Sequence, residues 1–108
     1  MEHQGFSESD WKIWRDLRIK ALERYCQRVL TELAAFDKGD GTAHSRYLTL
    51  YSLLQKRDRE LARIFNDHRR STAMNNILLA ASAKLMTNEE IELFSERTQS
   101  TIRRFAEL

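Results

Sequence analysis

Asp58 is the residue best placed to do chemistry. It sits with Arg57 in the charged run Lys56-Arg57-Asp58-Arg59-Glu60. That run interrupts an apolar stripe of Tyr47, Leu50, Tyr51, Leu54, then Leu61, Ile64 and Phe65. Apolar residues three and four apart mark the packed face of a helix, so Arg57 and Asp58 fall where a core should continue. A buried carboxylate must be paired or must shift its pKa, and such groups gather at functional sites. Folding the chain back brings Arg18 and Tyr25 within a turn of Asp58, and a third helix adds Asn75. A ligand-binding or enzymatic pocket of Asp58, Arg57, Arg18, Tyr25 and Asn75 is one expectation. Two plainer readings compete with it. One is an internal ion pair that fixes helix register. The other is a solvated face carrying the ladder Lys56–Glu60, Arg57–Glu60, Glu60–Arg63.

A second candidate is anion binding at His68, Arg69 and Arg70. A helix starting there would offer free N–H groups beside two guanidinium groups, which suits phosphate or carboxylate. Asp67 opposes it, and cations closing the dipole of the preceding helix are the competing reading. The remaining spacings exclude chemistry. On one continuous helix His44 and His68 would lie about 36 Å apart. There is no His-x-x-x-His, Glu-x-x-His, phosphate loop or Gly-x-Ser-x-Gly. The single cysteine, Cys26, falls on an apolar stripe and reads as an inert core thiol. Trp11, Trp14, Tyr47 and Tyr51 are spaced as core residues, with an aromatic ligand cage as the lesser alternative. No catalytic residue, metal or cofactor is expected.

The elements that must position these residues are all helical. The chain has 108 residues, three glycines, no proline and one valine, Val29. Sheets need β-branched strands and Gly/Pro turns, so this composition predicts helices. The length makes one domain, 1–108, able to bury a core without metal or disulfide help. The first helix spans about 8–36. Ser7 is its N-cap, Asp10 stands in for the Glu of a capping box, and Phe6 with Trp11 forms the staple. Its apolar face is Trp14, Leu17, Ala21, Leu22, Tyr25, Cys26, Val29, Leu33 and Phe36. Gly39 suits a left-handed cap, and Asp40 or Thr42 the next N-cap. The second helix covers about 43–67 and is wide enough in apolar coverage to be touched on two sides. Residues 66–72 are a turn or kink. The third helix follows at about 69–85. Thr87 and Glu90 form a capping box for a short helix at about 88–94. Ser95 caps a last helix at about 96–107, which packs through Ile102, Phe105 and Leu108. Residues 1–5 are a lead-in. The predicted architecture is all-α: an antiparallel up-down-up three-helix bundle with two short C-terminal helices.

The net charge of +2, from 18 basic and 16 acidic residues, requires no polyanion. Thirteen of the basic residues are Arg, which makes nucleic-acid binding along the Arg-bearing flanks an alternative. Glu23, Glu32, Glu60 and Asp67 interrupt those flanks, so a nucleic-acid partner is the weaker expectation. One cysteine suits a reducing compartment. No run approaches the ~20 apolar residues of a membrane span, and the first ten residues carry no secretion signal. The expectation is a small cytoplasmic helical protein, a non-catalytic interaction or regulatory module that binds a protein partner or itself.

Overall fold

The computed structural model describes residues 6–106. The expected lead-in at 1–5, the last residue of the final helix and the expected packing residue Leu108 lie outside the described residues. Within them all regular structure is helical: α1 (Glu8–Phe36), α2 (Ala43–Phe65), α3 (Ala73–Ser82), α4 (Asn88–Ile91) and α5 (Glu96–Ala106).

α1 begins where expected because Ser7 Oγ accepts from the Asp10 N–H at 3.1 Å. The Asp10 carboxylate, however, does not close a capping box on Ser7; it turns to α5. α1 runs through 29 residues without glycine or proline and stops at Phe36, where Asp37 becomes extended. Gly39 and Gly41 take φ of 80° and 86° in the connecting loop. Such values cost an L-residue but not glycine. At Gly41 a Cβ would also meet Ser45 Oγ at 2.7 Å. Thr42 caps α2 by accepting from the Ser45 N–H. Asp37 and Arg46 then clasp the loop through two hydrogen bonds of 2.8 and 3.0 Å.

α2 returns alongside α1. Arg18 Nη2 donates to the Phe65 carbonyl at 2.6 Å, and the Tyr25 hydroxyl lies 2.9 Å from the Arg57 carbonyl. α2 ends at Phe65, two residues earlier than the periodicity suggests. The chain turns through a 3-10 segment, Arg70–Thr72, before α3 starts. Thr72 Oγ1 and Asn76 Nδ2 both donate to the Asp67 carbonyl, at 2.6 and 2.9 Å, and so hold that turn.

α3 is ten residues long and ends at Ser82, short of the expected Leu85. Lys84 adopts φ 59°. Lys84 N–H then bonds to the Ala81 carbonyl and Leu85 N–H to the Ala80 carbonyl. This is a Schellman stop made without glycine. The carbonyls beyond it are satisfied from α1: Arg28 donates to Ala83 and Lys84, Arg24 to Leu85. The core lies between α3 and one side of α1, with Trp14, Ala21, Ile77, Ala80, Leu85 and Ile102 all fully buried.

The Thr87–Glu90 capping box is present, at 2.9 and 3.1 Å. α4 is a single turn that ends at Ile91, not 94. The N–H groups of Leu93 and Phe94 bond back three residues, which tightens the chain out of the α-helix. α5 follows from Ser95 and packs on α3 through the buried Ile102.

Candidate functional site

α3 covers one side of the α1–α2 pair. That side is closed by polar contacts. Arg24 grips Glu90 through hydrogen bonds of 2.6 and 2.8 Å. Arg57 grips Glu32 at 2.8 and 2.9 Å and also meets Glu60. The Tyr25 hydroxyl bridges the Arg57 carbonyl and Glu60 Oε1, both at 2.9 Å. These contacts set the ionisation. The Arg24 hydrogen bonds outweigh burial and draw the Glu90 carboxyl down to about 2. Burial, reinforced by the Glu60 hydrogen bond and charge, raises the Tyr25 phenol above its ordinary range. The Glu32 hydrogen bond holds Arg57 firmly charged.

The opposite side of the pair is an open groove. On α1, Arg15, Ile19, Leu22, Cys26, Leu30 and Leu33 recur at three- and four-residue spacing and so share one face. On α2, Tyr47, Tyr51, Leu54, Asp58 and Leu61 do the same. Cys26, Val29, Leu30, Leu54, Asp58 and Leu61 line the groove together. Its large apolar side chains are uncovered: Ile19 is 67% exposed, Leu30 61%, Tyr47 62%, Tyr51 49% and Leu54 46%. This corrects two sequence expectations. Tyr47 and Tyr51 are not core residues; they stack on each other, ring centres 6.1 Å apart, on the outside of α2. Cys26 is not sealed in the core but half-buried in the groove. The reason is that α3 packs on the other side of the pair and no described element covers this one. α3 also stops where Arg24 and Arg28 meet it, so the first half of α2 projects past its end.

The projecting part is poor in free charge. From Ala43 to Gln55 the only Arg, Lys, Asp or Glu is Arg46, which is committed to Asp37. From Cys26 to Phe36 there are only Arg28 and Glu32, both engaged on the covered side. Asp58 is the exception. It is exposed and has no hydrogen bond or ion pair among the described residues. At the far end of the groove the charge is positive. Arg15 lies over the Trp11 ring at 5.9 Å, Arg18 over the Phe65 ring at 5.7 Å, and His68 against Trp11 at 5.0 Å. Neither arginine is ion-paired among the described residues. Burial first, then Arg18 and Arg15, lowers the His68 pKa and favours the neutral ring.

The five residues expected around Asp58 do not assemble as a set. Arg57 meets Tyr25 and turns to the covered side, where Glu32 and Glu60 neutralise it. Asp58 points into the open groove, beside Tyr25 and Arg57 but exposed. Burying it would leave a carboxylate without a cation, a cost of several kcal/mol, so α2 rotates to bring Arg57 inward. Arg18 sits two turns away on Phe65, and Asn75 is exposed on α3. Of the expected surface ladder, the Arg57–Glu60 step is formed. His68, Arg69 and Arg70 do not converge on one point either. Arg69 is held by Asp67 at 2.6 and 2.7 Å. Arg70 is held by Glu8 and the Phe6 carbonyl, both at 2.8 Å. His68 faces Trp11.

Sequence reasoning missed Ile19, Leu30 and Arg15. The signal was available: they form a second helical stripe beside the core stripe of α1. It also missed the destination of Asp10, which depends on a contact with a residue 85 positions away. A further cleft beside the start of α5 is lined by Arg70, Ser71, Arg97 and Thr98. Its carboxylate, Asp10, is consumed in capping α5. Among the described residues no cluster of His, Cys, Asp and Glu could hold a metal ion, and no helix is long and apolar enough to cross a membrane. Comparison with protein-family models, curated proteins and solved structures finds no match.

Proposed function

We propose that this protein is a non-catalytic interaction or regulatory module that works through the α1–α2 groove. We take its scaffold to be an antiparallel up-down-up bundle of α1, α2 and α3; the contacts of Phe65 with Arg18 and of Ala83 with Arg28 support that order. The carrying observation is the uncovered, charge-poor row of Leu30, Tyr47, Tyr51 and Leu54. Interface centres are depleted in charge and enriched in aromatic residues, and contiguous apolar surface of this kind marks partner sites. Tyr47 and Tyr51 alone leave on the order of 200 Å² uncovered, roughly 5 kcal/mol of burial not realised in the free chain. A rim ion pair contributes about 0–1 kcal/mol by comparison. The apolar row therefore dominates whatever binds there. A protein partner presenting its own apolar helix face is the chemistry that fits. A lone thiol in the groove suits a reducing compartment such as the cytoplasm.

The test is site-specific photo-crosslinking in cells. A benzophenone side chain replaces Tyr51 in the groove or the exposed Ala35 on the opposite face of α1. One discrete adduct from position 51 and none from position 35 is expected. No adduct from position 51, or the same adducts from both, would overturn the proposal.

A further inference from the structure

We infer that the corner where α2 ends against α1 is a binding site for a phosphate dianion, held by Arg15 and Arg18 of α1 and by His68 of the turn after α2. The site uses none of the residues that line the groove and does not depend on the groove having a partner.

The first observation is that positive groups from two segments gather on one aromatic pair. Arg15 lies over the Trp11 ring at 5.9 Å, and the His68 ring packs against the same ring at 5.0 Å. Arg18, two turns on from Trp11, stands over the Phe65 ring at 5.7 Å and donates through Nη2 to the Phe65 carbonyl at 2.6 Å. The charges of both arginines reach His68, where, after burial, they disfavour the protonated ring.

The second is that no carboxylate serves this corner among the described residues. Asp67, next to His68, is held by Arg69, and Glu8 is held by Arg70. Asp16 is exposed and lies roughly 100–160° around α1 from Trp11, Arg15 and Arg18. Asp58 precedes Phe65 by seven residues, about 10 Å along α2. Lys12, one turn before Arg15, adds to the positive side. Cations held together without an acid raise the local concentration of anions.

The third is unused hydrogen-bonding capacity. Among the described residues the buried side-chain polar atoms without a partner are Trp14 Nε1, Arg18 Nε and His68 Nδ1. Two of these belong to the corner. Arg18 Nε–H can only donate, and His68 Nδ1 donates when the ring is protonated. Buried donors without acceptors are costly, and one oxyanion offers oxygens to both. Arg15 is exposed and Arg18 and His68 are half-buried, so the corner opens to solvent.

The charge and shape select phosphate. Two guanidinium groups balance a dianion, and a tetrahedral phosphate meets donors that arrive from different directions. A carboxylate is a planar monoanion with two oxygens. The Trp11 and Phe65 faces already hold the guanidinium groups in place, so little side-chain freedom is lost on binding.

The experiment is a nuclear magnetic resonance titration of the full chain with inorganic phosphate, exchanged against chloride at constant ionic strength, following the Trp11, Arg15, Arg18 and His68 side chains. Circular dichroism confirms that each variant is folded. Saturable shifts confined to these four residues are expected. The His68 titration midpoint should move upward, because the dianion favours the protonated ring. Arg15→Gln and His68→Gln should each weaken binding by about tenfold, and Arg18→Lys, which keeps the charge but not the fork, should also weaken it. Arg70→Gln, on the neighbouring turn, should leave it unchanged. Acetate should bind at least about tenfold more weakly. No saturable shift, shifts that chloride reproduces, or binding unchanged in both Arg15→Gln and His68→Gln overturns the site. Acetate binding as tightly as phosphate overturns the phosphate assignment. Capped phosphoserine binding more tightly than inorganic phosphate supports the site with a phosphorylated side chain as the source; a sugar phosphate doing so supports it with a small molecule as the source.

Discussion

Removing the Asp10 carboxylate should be among the most damaging single changes to this fold. Asp10 is 1% exposed, on α1, yet it holds the start of α5 by bracing that helix's N-cap, Ser95. It accepts from Ser95 N–H at 2.9 Å, Ser95 Oγ at 2.7 Å and Thr98 Oγ1 at 2.6 Å. A hydrogen bond to a charged group contributes about 1.5–3 kcal/mol, and a negative charge at a helix N-terminus adds about 0.3–1 kcal/mol. The terms do not sum fully, because water can reach the exposed Ser95 once the carboxylate is gone. Thr98 is buried and cannot be rescued that way. Asp10→Ala should therefore cost about 3–4 kcal/mol of a total near 5–15 kcal/mol. Asp10→Asn keeps one acceptor and should cost about 2 kcal/mol. The assay is urea denaturation followed by far-ultraviolet circular dichroism, with thermal melts; a 3 kcal/mol loss lowers Tm by roughly 10–20 °C. The pH dependence gives a second arm. Burial pushes the Asp10 carboxyl up, but the hydrogen bonds from Thr98 and Ser95 more than offset it and the net shift is downward. A depressed carboxyl stabilises the fold above its unfolded pKa and loses that contribution as pH falls through the folded value. Asp10→Asn should flatten the acid limb of stability below about pH 4. A loss under about 1 kcal/mol for Asp10→Ala, or an unchanged acid limb in Asp10→Asn, would refute the capping account.

Three further outcomes follow from the same structure. Lys84→Gly should stabilise the protein by about 0.5–1 kcal/mol in urea melts, because glycine adopts the positive φ at the α3 stop without steric cost; destabilisation would contradict that geometry. Glu90→Gln should cost about 2 kcal/mol, since it weakens both the Arg24 pair and the Thr87 capping box. Because the Glu90 carboxyl sits near 2, its contribution should be complete above the ordinary Glu range and fade only as pH falls toward 2, which an acid titration of the variant against the wild type would show. In ultraviolet titration Tyr25 should ionise above the ordinary phenol range, and Tyr25→Phe should remove that late step while costing about 1 kcal/mol of stability.

The all-helical class and most boundaries were readable because they depend on signals within one or two turns. Ser7, Thr42, Thr87 and Ser95 begin helices through bonds to residues three or four positions on. The glycines of the 37–42 loop end one helix and free the chain to start another. Where boundaries slipped, a local signal was missing. Nothing in Ala81-Ser82-Ala83-Lys84 announces a helix end, since the left-handed residue there is lysine. The stop holds because Arg24 and Arg28 reach across from α1 to carbonyls about 55–61 residues away.

The side of the α1–α2 pair on which α3 packs decides the rest. Sequence periodicity alone established which residues of α1 and α2 are apolar and that both helices carry more such residues than one seam needs. It could not establish which of them are covered. Coverage depends on which side of the pair α3 packs and on how α2 rotates, and both are set by contacts between distant residues: Arg57 turning to Glu32, Arg28 to Ala83, Asp10 to Ser95. A stripe three and four residues apart looks the same whether it faces a neighbouring helix or solvent, so only the tertiary packing exposes the groove of Leu30, Tyr51 and Leu54 and leaves Asp58 in it unpaired among the described residues.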